Sequence, residues 1–434
     1  MWIIIHIDSS HTVQFQWLDI GSDSMPSNAK RKKIMKILHI CTYDHGGAGL
    51  CCLRIHQALM KQGIDSRVLV LEKRGDCPEV YVAGCAHGRW RKLLNRIFNK
   101  ILRLMHLKIT KFNRRLAFMR KYGVYCSFPV SGYDISGHPL VKEADILHLH
   151  WINNFVDYPS FFKKVQKPMI CTLHDENLFF GVVHNQYDIA KDALEKRYYK
   201  TKLKAIQQIR NLYVVFLSEI MCQRYAGHEM IRDRYFIVIN NAVDSWKFHP
   251  IDKRLSRAMF GIDENSIVFS FVAVSLNDKN KGLDVLSKTL ERMNIPNAMI
   301  LAVGDNGNGH EWPLTKSTGA IYDTERLSAA YSCADYFVLP SQQEAFGQTL
   351  IEALACGVPI IAFPVDITGE LITEKNGIRC NGFTSEDLEE GIRKAMNTSY
   401  DTETIRKDVI DRFSPELIAE KYIKLYNLSK SQAI

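Results

Sequence analysis

The 434-residue sequence predicts an α/β protein of two successive parallel-sheet domains. Three observations carry this expectation. Short apolar runs of strand length alternate with helical spacing from Ile37 to Ile239. The alternation restarts at Ile267 and runs to Phe363. Between them, the segment from Asp244 to Arg257 is polar and basic with Pro250 inside it, which marks a domain boundary. Alternation of this kind builds parallel sheets with helices on both faces.

With 46% apolar and 24% charged residues, the chain has the balance of a globular protein and enough length for two ordinary domains. No stretch approaches the roughly 20 uncharged apolar residues that span a bilayer. The apolar start Met1–Ile7 has no basic region before it and runs into Asp8 and Ser9, so a cytosolic protein is expected. The 11 Cys are scattered and form no Cys-x-x-Cys, suggesting neither a disulfide framework nor a zinc site. The net charge of +9 has one source: Arg89 to Lys121 holds 12 Lys or Arg and no acidic residue, so the rest of the chain is net acidic.

Residues 1–34 read as a leader or a mis-called start outside the fold. The first domain, 35–245, opens with a strand at Ile37–Cys41, then Thr42-Tyr43-Asp44-His45-Gly46-Gly47-Ala48-Gly49, a helix at Leu50–Lys61 and a strand at Ser66–Leu71. Glycines there let backbone approach an anion at a helix N-terminus, although a bare tight turn explains them equally well. In the basic segment 89–121, Trp90, Leu93, Leu94, Ile97, Ile101, Leu104 and Met105 follow helical spacing. That basic amphipathic helix fits an anionic membrane surface or a solvated face over the core; nucleic acid is disfavoured, since no interleaved aromatics or known module accompany it. Strands at Asp145–His150 and Pro168–Leu173 deliver His148, His150 and His174 to carboxyl ends, where open α/β sheets bind ligands. Of these, His174 is preferred, because Asp175 and Phe179-Phe180-Gly181 follow at once.

The second domain, 246–412, begins with a strand at Ile267–Val274 and a helix from Leu283. Between them stand Lys279 and Lys281, two ammonium groups at a strand's carboxyl end. The stretch around which the chain is organised is Val338–Pro364: a strand ending at Leu339, a loop Pro340–Gly347, a helix Gln348–Cys356, a Gly-Val-Pro turn and a strand Ile360–Phe363. Glu344 and Glu352 flank a helix N-terminus whose open amides belong to Phe346, Gly347, Gln348 and Thr349, an arrangement that favours phosphate. Residues 413–434 hold an amphipathic helix, Pro415–Leu428, with no strand left to pair.

Taken together, these motifs resemble family 4 of the retaining glycosyltransferases, of GT-B fold. Glu344-Ala345-Phe346-Gly347 followed by Glu352 and Cys356-Gly357-Val358-Pro359 matches that family's Glu-x7-Glu signature. The order His148, His150, Leu173-His174-Asp175, Gly181 and His184 resembles its capsular and colanic-acid-type branch. The resemblance implies two Rossmann-like domains facing a central cleft, with the last helix crossing back to the first domain. It implies that Glu344 contacts donor-sugar hydroxyls, Phe346 and Gly347 amides the diphosphate, and Glu352 the ribose. Gly46 and Gly47 would lie across the cleft, and His174 would approach the transferred sugar. An Arg usually accompanies the Lys-Gly pair; here Lys281-Gly282 is present, but the Arg position falls on Ser275 or Leu276, leaving Lys279 as a poorer substitute.

Glycosyl transfer requires that charge developing on the leaving diphosphate be stabilised, which a helix N-terminus with Lys279 and Lys281 supplies. No Asp-x-Asp occurs, so a metal-independent reaction without a cofactor is expected. The expected partners are a UDP- or GDP-sugar donor, a saccharide or lipid-linked acceptor and an anionic membrane, with the protein peripheral on its inner face. Alternatives are an epimerase or phosphorylase of the same architecture and a non-catalytic nucleotide-sugar-binding subunit.

Overall fold

Strands form where the sequence offers consecutive buried apolar residues, and the computed structural model places them in two sheets. It describes residues 2–7, 13–18, 34–84, 111–184, 187–307 and 309–432. The chain divides into two units: Met1–Phe216 with Arg224–Ile237 and Tyr422–Ile434, and Leu217–Gln223 with Val238–Lys421. The polar segment around Pro250 therefore falls inside the second unit, and the division comes earlier than the expected 245/246.

In the first unit, β3 (Lys36–Tyr43), β4 (Asp65–Glu72), β5 (Val80–Val82), β6 (Ile146–Leu149), β7 (Met169–Thr172) and β8 (Leu212–Phe216) pair in parallel, in the order β8-β7-β6-β3-β4-β5. Next to β8 lies β9 (Tyr235–Val238), and β1 (Trp2–Ile7) pairs antiparallel with both β9 and β2 (Val13–Leu18). Residues 1–34 were expected to lie outside the fold. Instead, two six-residue strands within them extend the sheet edge, the first pairing with β9 and the second with the first.

The second unit holds β10 (Ile267–Ser275), β11 (Ala298–Asp305), β12 (Thr315–Ser317), β13 (Tyr336–Leu339), β14 (Ile360–Ala362) and β15 (Gly377–Arg379), all parallel in the order β12-β11-β10-β13-β14-β15. Its side chains alternate between two cores. Phe337, Leu339, Ile360 and Ala362 pack with Leu350, Ile351 and Leu354 of the helix Gln348–Ala355. Val338 and Ile361 point the other way, toward Leu283, Leu286 and Leu290 of the helix Leu283–Met293. The sheet is thus covered on both faces, as the strand–helix alternation requires.

The final helix, Pro415–Ser431, begins in the second unit, and its residues from Tyr422 belong to the first. There Tyr422 and Tyr426 are fully buried, their hydroxyls meeting Thr172 Oγ1 at 2.9 Å and His148 Nδ1 at 2.7 Å. Residues 85–110, most of the basic segment, lie outside the described residues. Its end is a helix, Lys111–Tyr122, where Arg115 donates to the Val130 carbonyl and the Tyr198 hydroxyl and stacks 4.3 Å from the Phe128 ring centre. That guanidinium is part of the fold. Among the described residues, no helix is long and apolar enough to cross a membrane.

Candidate functional site

Two loops at the carboxyl ends of β10 and β13 build the site of the second unit. Asn280 locks them together: its carbonyl accepts from Gln342 N at 2.8 Å, and its side-chain amide donates to the Gln343 carbonyl at 3.1 Å. Gly282 follows with φ +80, and a Cβ there would stand 2.2 Å from the Pro340 carbonyl oxygen, so only glycine admits this approach. The result sets Lys281 Nζ 2.6 Å from Glu344 Oε1, which also accepts from Ser341 Oγ at 3.0 Å.

The helix Gln348–Ala355 starts beside this pair. Gly347, in a left-handed conformation at φ +69, is its N-cap and offers no side chain to the first-turn amides. Phe346 is buried in the core and fixes the loop. Gln348 Nε2 donates to the Ala242 carbonyl, Thr349 is half-buried in the first turn, and Glu352, one turn on, accepts from the Tyr331 hydroxyl at 3.0 Å. The two loops and the helix of the second unit thus carry Lys281, Glu344, Phe346, Gly347, Gln348, Thr349 and Glu352. Lys279 is exposed in the same loop. The Arg position supplies no cation: Leu276 is buried, its side chain against Gly304. A cavity of about 300 Å³ lined by Lys253, Tyr336, Gly357 and Pro359 opens at the amino ends of β13 and β14, away from this chemistry.

In the first unit the carboxyl ends of β3, β6 and β7 carry the polar groups. Gly46 (φ +69) and Gly47 are exposed at the start of the helix Gly46–Lys61, whose N-cap His45 makes no side-chain capping bond. Asp44 holds the neighbouring loop by accepting from the amides of Arg74 and Gly75 at 2.9 and 2.8 Å. His174 lies next to His150, Nε2 to Nδ1 at 3.0 Å, and burial lowers its pKa to about 4. Asp175 accepts from Trp151 Nε1 at 2.8 Å, from the amide of Asn177 at 2.9 Å, and contacts His184 Nδ1 at 2.6 Å. Burial would raise this carboxyl; the His184 ring and these hydrogen bonds outweigh it and hold the pKa below the ordinary value. His184 Nε2 in turn meets Ser127 Oγ at 2.9 Å, but Ser127 is fully buried and its amide is spent on the Val182 carbonyl, so this is a positioning network and not a nucleophile's.

Sequence reasoning missed Ser341, Asn280 and Tyr331 around the glutamates, and His39 and Trp151 around His174. Hydroxyls and amides in loops carry no spacing signal. His39, an imidazole between apolar Leu38 and Ile40 in strand β3, was the visible cue. The expectation of no metal ligands is qualified too: His39, His148 and His150, and separately His56, Cys77 and Glu79, each bring ligand atoms within 4.8 Å of one another.

Two Rossmann-like units with this loop-and-helix site define the GT-B class. Residues 252–412 match the family described as glycosyl transferases group 1. A D-inositol 3-phosphate glycosyltransferase of Mycobacteroides abscessus is 29% identical over 174 residues, 37% of this chain and 38% of the relative. An alpha-galactosylglucosyldiacylglycerol synthase of Streptococcus pneumoniae is 24% identical over 65% of this chain and 77% of its own length. The match thus spans well under half of the first relative's length. Anabaena HepE, solved in complex with UDP and glucose, superposes with a TM-score of 0.58 at 17% identity, covering 91% of this chain and 99% of HepE.

Proposed function

We propose that this chain is a glycosyltransferase that moves a sugar from a nucleotide-diphosphate donor, a UDP- or GDP-sugar, to a saccharide or lipid-linked acceptor in cell-surface polysaccharide or glycolipid synthesis. The observation that carries the reading is the Lys281–Glu344 pair standing at the uncapped N-terminus of the helix Gln348–Ala355, with Glu352 one turn along. As the bond between sugar and diphosphate breaks, negative charge gathers on the leaving oxygen. The amides of Phe346 to Thr349 and the Lys281 ammonium are assigned to stabilise it, with Lys279 as a second cation. Glu344, oriented by Lys281 and Ser341, is assigned to the sugar hydroxyls. Buried Glu352, oriented by Tyr331, is assigned to the ribose. Gly46 and Gly47, whose backbone is bare, are assigned to anion contact in the same reaction, and His174 to the transferred sugar.

A solved relative of the same fold that holds UDP and glucose supports the donor class, and a relative named as the synthase of a glycolipid supports a lipid-linked acceptor. Membership of family 4 and its capsular branch, retention of configuration, a reaction without metal, and a cytoplasmic, membrane-peripheral location belong to the same proposal. It rests on the Glu-x7-Glu spacing, the His-Asp pattern and the basic segment. One observation favours a second reading, a nucleotide-sugar-binding subunit without turnover: Ser275 or buried Leu276, neither a cation, stands where a phosphate-binding guanidinium is expected.

Thermal-shift screening of UDP-, GDP- and ADP-sugars identifies the donor, because a ligand that binds only the native state raises the midpoint. Glu344→Ala and Glu352→Ala are then expected to abolish transfer while leaving the fold intact. Unchanged turnover in either variant overturns the site assignment, and donor binding without turnover on any acceptor selects the second reading.

A further inference from the structure

A line of imidazoles runs from inside the first sheet to its carboxyl edge. His39 on β3 and His148 on β6 are register partners, and His150 follows two residues on, so all three project from one face. His39 Nδ1 meets His150 Nε2 at 2.9 Å, and His150 Nδ1 meets His174 Nε2 at 3.0 Å. His39 and His150 are buried, and burial holds both well below the ordinary imidazole pKa, so the line is neutral.

A neutral imidazole has one N–H and one lone pair. Three of them joined head to tail therefore have only two arrangements, all protons pointing toward His174 or all pointing toward His39. The far end decides between them. His39 Nε2 is buried and meets no hydrogen-bond partner among the described residues. If the protons point inward, this atom is an orphaned N–H; if they point outward, it is a bare lone pair. Buried orphaned N–H groups are the rarer of the two.

We propose that His39 and His150 are positioning residues that fix the tautomer of His174, so that its Nε2 is consumed as an acceptor and its Nδ1 carries the proton. This rests on the reading of His174 as the group that meets the transferred sugar. It specifies that reading further: His174 offers a hydrogen-bond donor, suited to a sugar hydroxyl or ring oxygen, and does not act as a base through Nδ1. His148 stands outside the line, since its nitrogens are taken by the Tyr426 hydroxyl and Thr172 Oγ1. The rival is a metal ion held by His39, His148 and His150. It would have to break these bonds, because His39 Nε2 is the one nitrogen of the three rings without a partner.

The test labels the histidines of the full chain with 15N and reads each tautomer from two-bond proton–nitrogen spectra, with His174 assigned by its loss in His174→Asn. The wild-type spectrum is expected to show His174 protonated on Nδ1. His39→Leu removes the donor behind His150 and is expected to move His174 to a mixture or to the Nε2 tautomer. His39→Asn, whose amide N–H replaces Nδ1–H, restores the wild-type pattern. A wild-type His174 protonated on Nε2, an unchanged His174 signal in His39→Leu, or one equivalent of metal retained after dialysis by the wild type and lost in His148→Leu overturns the proposal. If His39→Leu does not fold, the wild-type and His39→Asn spectra still decide it. None of these readouts depends on turnover, so failure of the transferase reading in the Glu344→Ala assay is seen separately.

Discussion

Lys281 has two neighbours of opposite consequence, the Glu344 carboxylate at 2.6 Å and the uncapped helix end that favours an anion. Its ammonium is thereby held in place, so that under the proposed role little reorganisation remains at the moment of reaction. Lys281→Ala is expected to lower kcat by about 10²- to 10³-fold, the scale on which one preorganised charge contact acts; steady-state turnover on the identified donor measures it. Next to it, Gly282→Ala would place a Cβ 2.2 Å from the Pro340 carbonyl in a left-handed conformation. A loss of at least about 2 kcal/mol in unfolding free energy is expected, read by urea denaturation. The sequence displayed Glu344, Glu352 and Lys281 because spacing and a Gly-rich turn give them away. It did not display that Lys281 and Glu344 pair with each other, since that depends on Asn280 joining two loops more than 60 residues apart.

Among the elements, long apolar runs were legible and short polar ones were not. β13, the helix Gln348–Ala355 and β14 lie within a residue of where the spacing predicts them, because their side chains alternate between two buried cores. β12, Thr-Lys-Ser, and β15, Gly-Ile-Arg, are three-residue edge elements whose pairing comes from neighbours and not from their own composition. The final helix was legible as amphipathic, but the purpose of its tyrosines was not. Tyr426→Phe removes the hydroxyl that meets His148 Nδ1 at 2.7 Å and leaves a buried ring nitrogen unpaired. A loss of about 1–2 kcal/mol is expected, measured by chemical denaturation of the full chain.

At the scale of the molecule, the two-unit plan followed from strand–helix alternation, whereas the location of the division did not, because residues 217–223 leave the first unit and 224–237 return to it. Burial of the first unit's histidines also gives the whole protein a pH dependence. His39, His148 and His150 are held well below the ordinary value and His174 at about 4, each by burial first. Unfolding lets all four take up protons from about pH 6.5 downward, while the folded chain does not bind one at His174 until about pH 4. The unfolded state therefore binds more protons across that window, and stability falls as the pH drops through it. Urea midpoints should decline steadily between pH 6.5 and 4; a midpoint unchanged at pH 5 would contradict the buried, neutral state of these rings.

The return of residues 422–432 to the first unit also has a meaning in time. A ribosome makes about 5–20 residues per second, so roughly 10 to 40 seconds separate the emergence of β9 from that of Tyr422 and Tyr426. Throughout that interval the nascent first unit holds His148 and Thr172 without their tyrosine partners, although every strand of its sheet has been translated. The second unit, contained within residues 217–421, has no such wait. Its core can close while the earlier-made unit is still unfinished, so the order of completion during synthesis runs opposite to the order of the sequence.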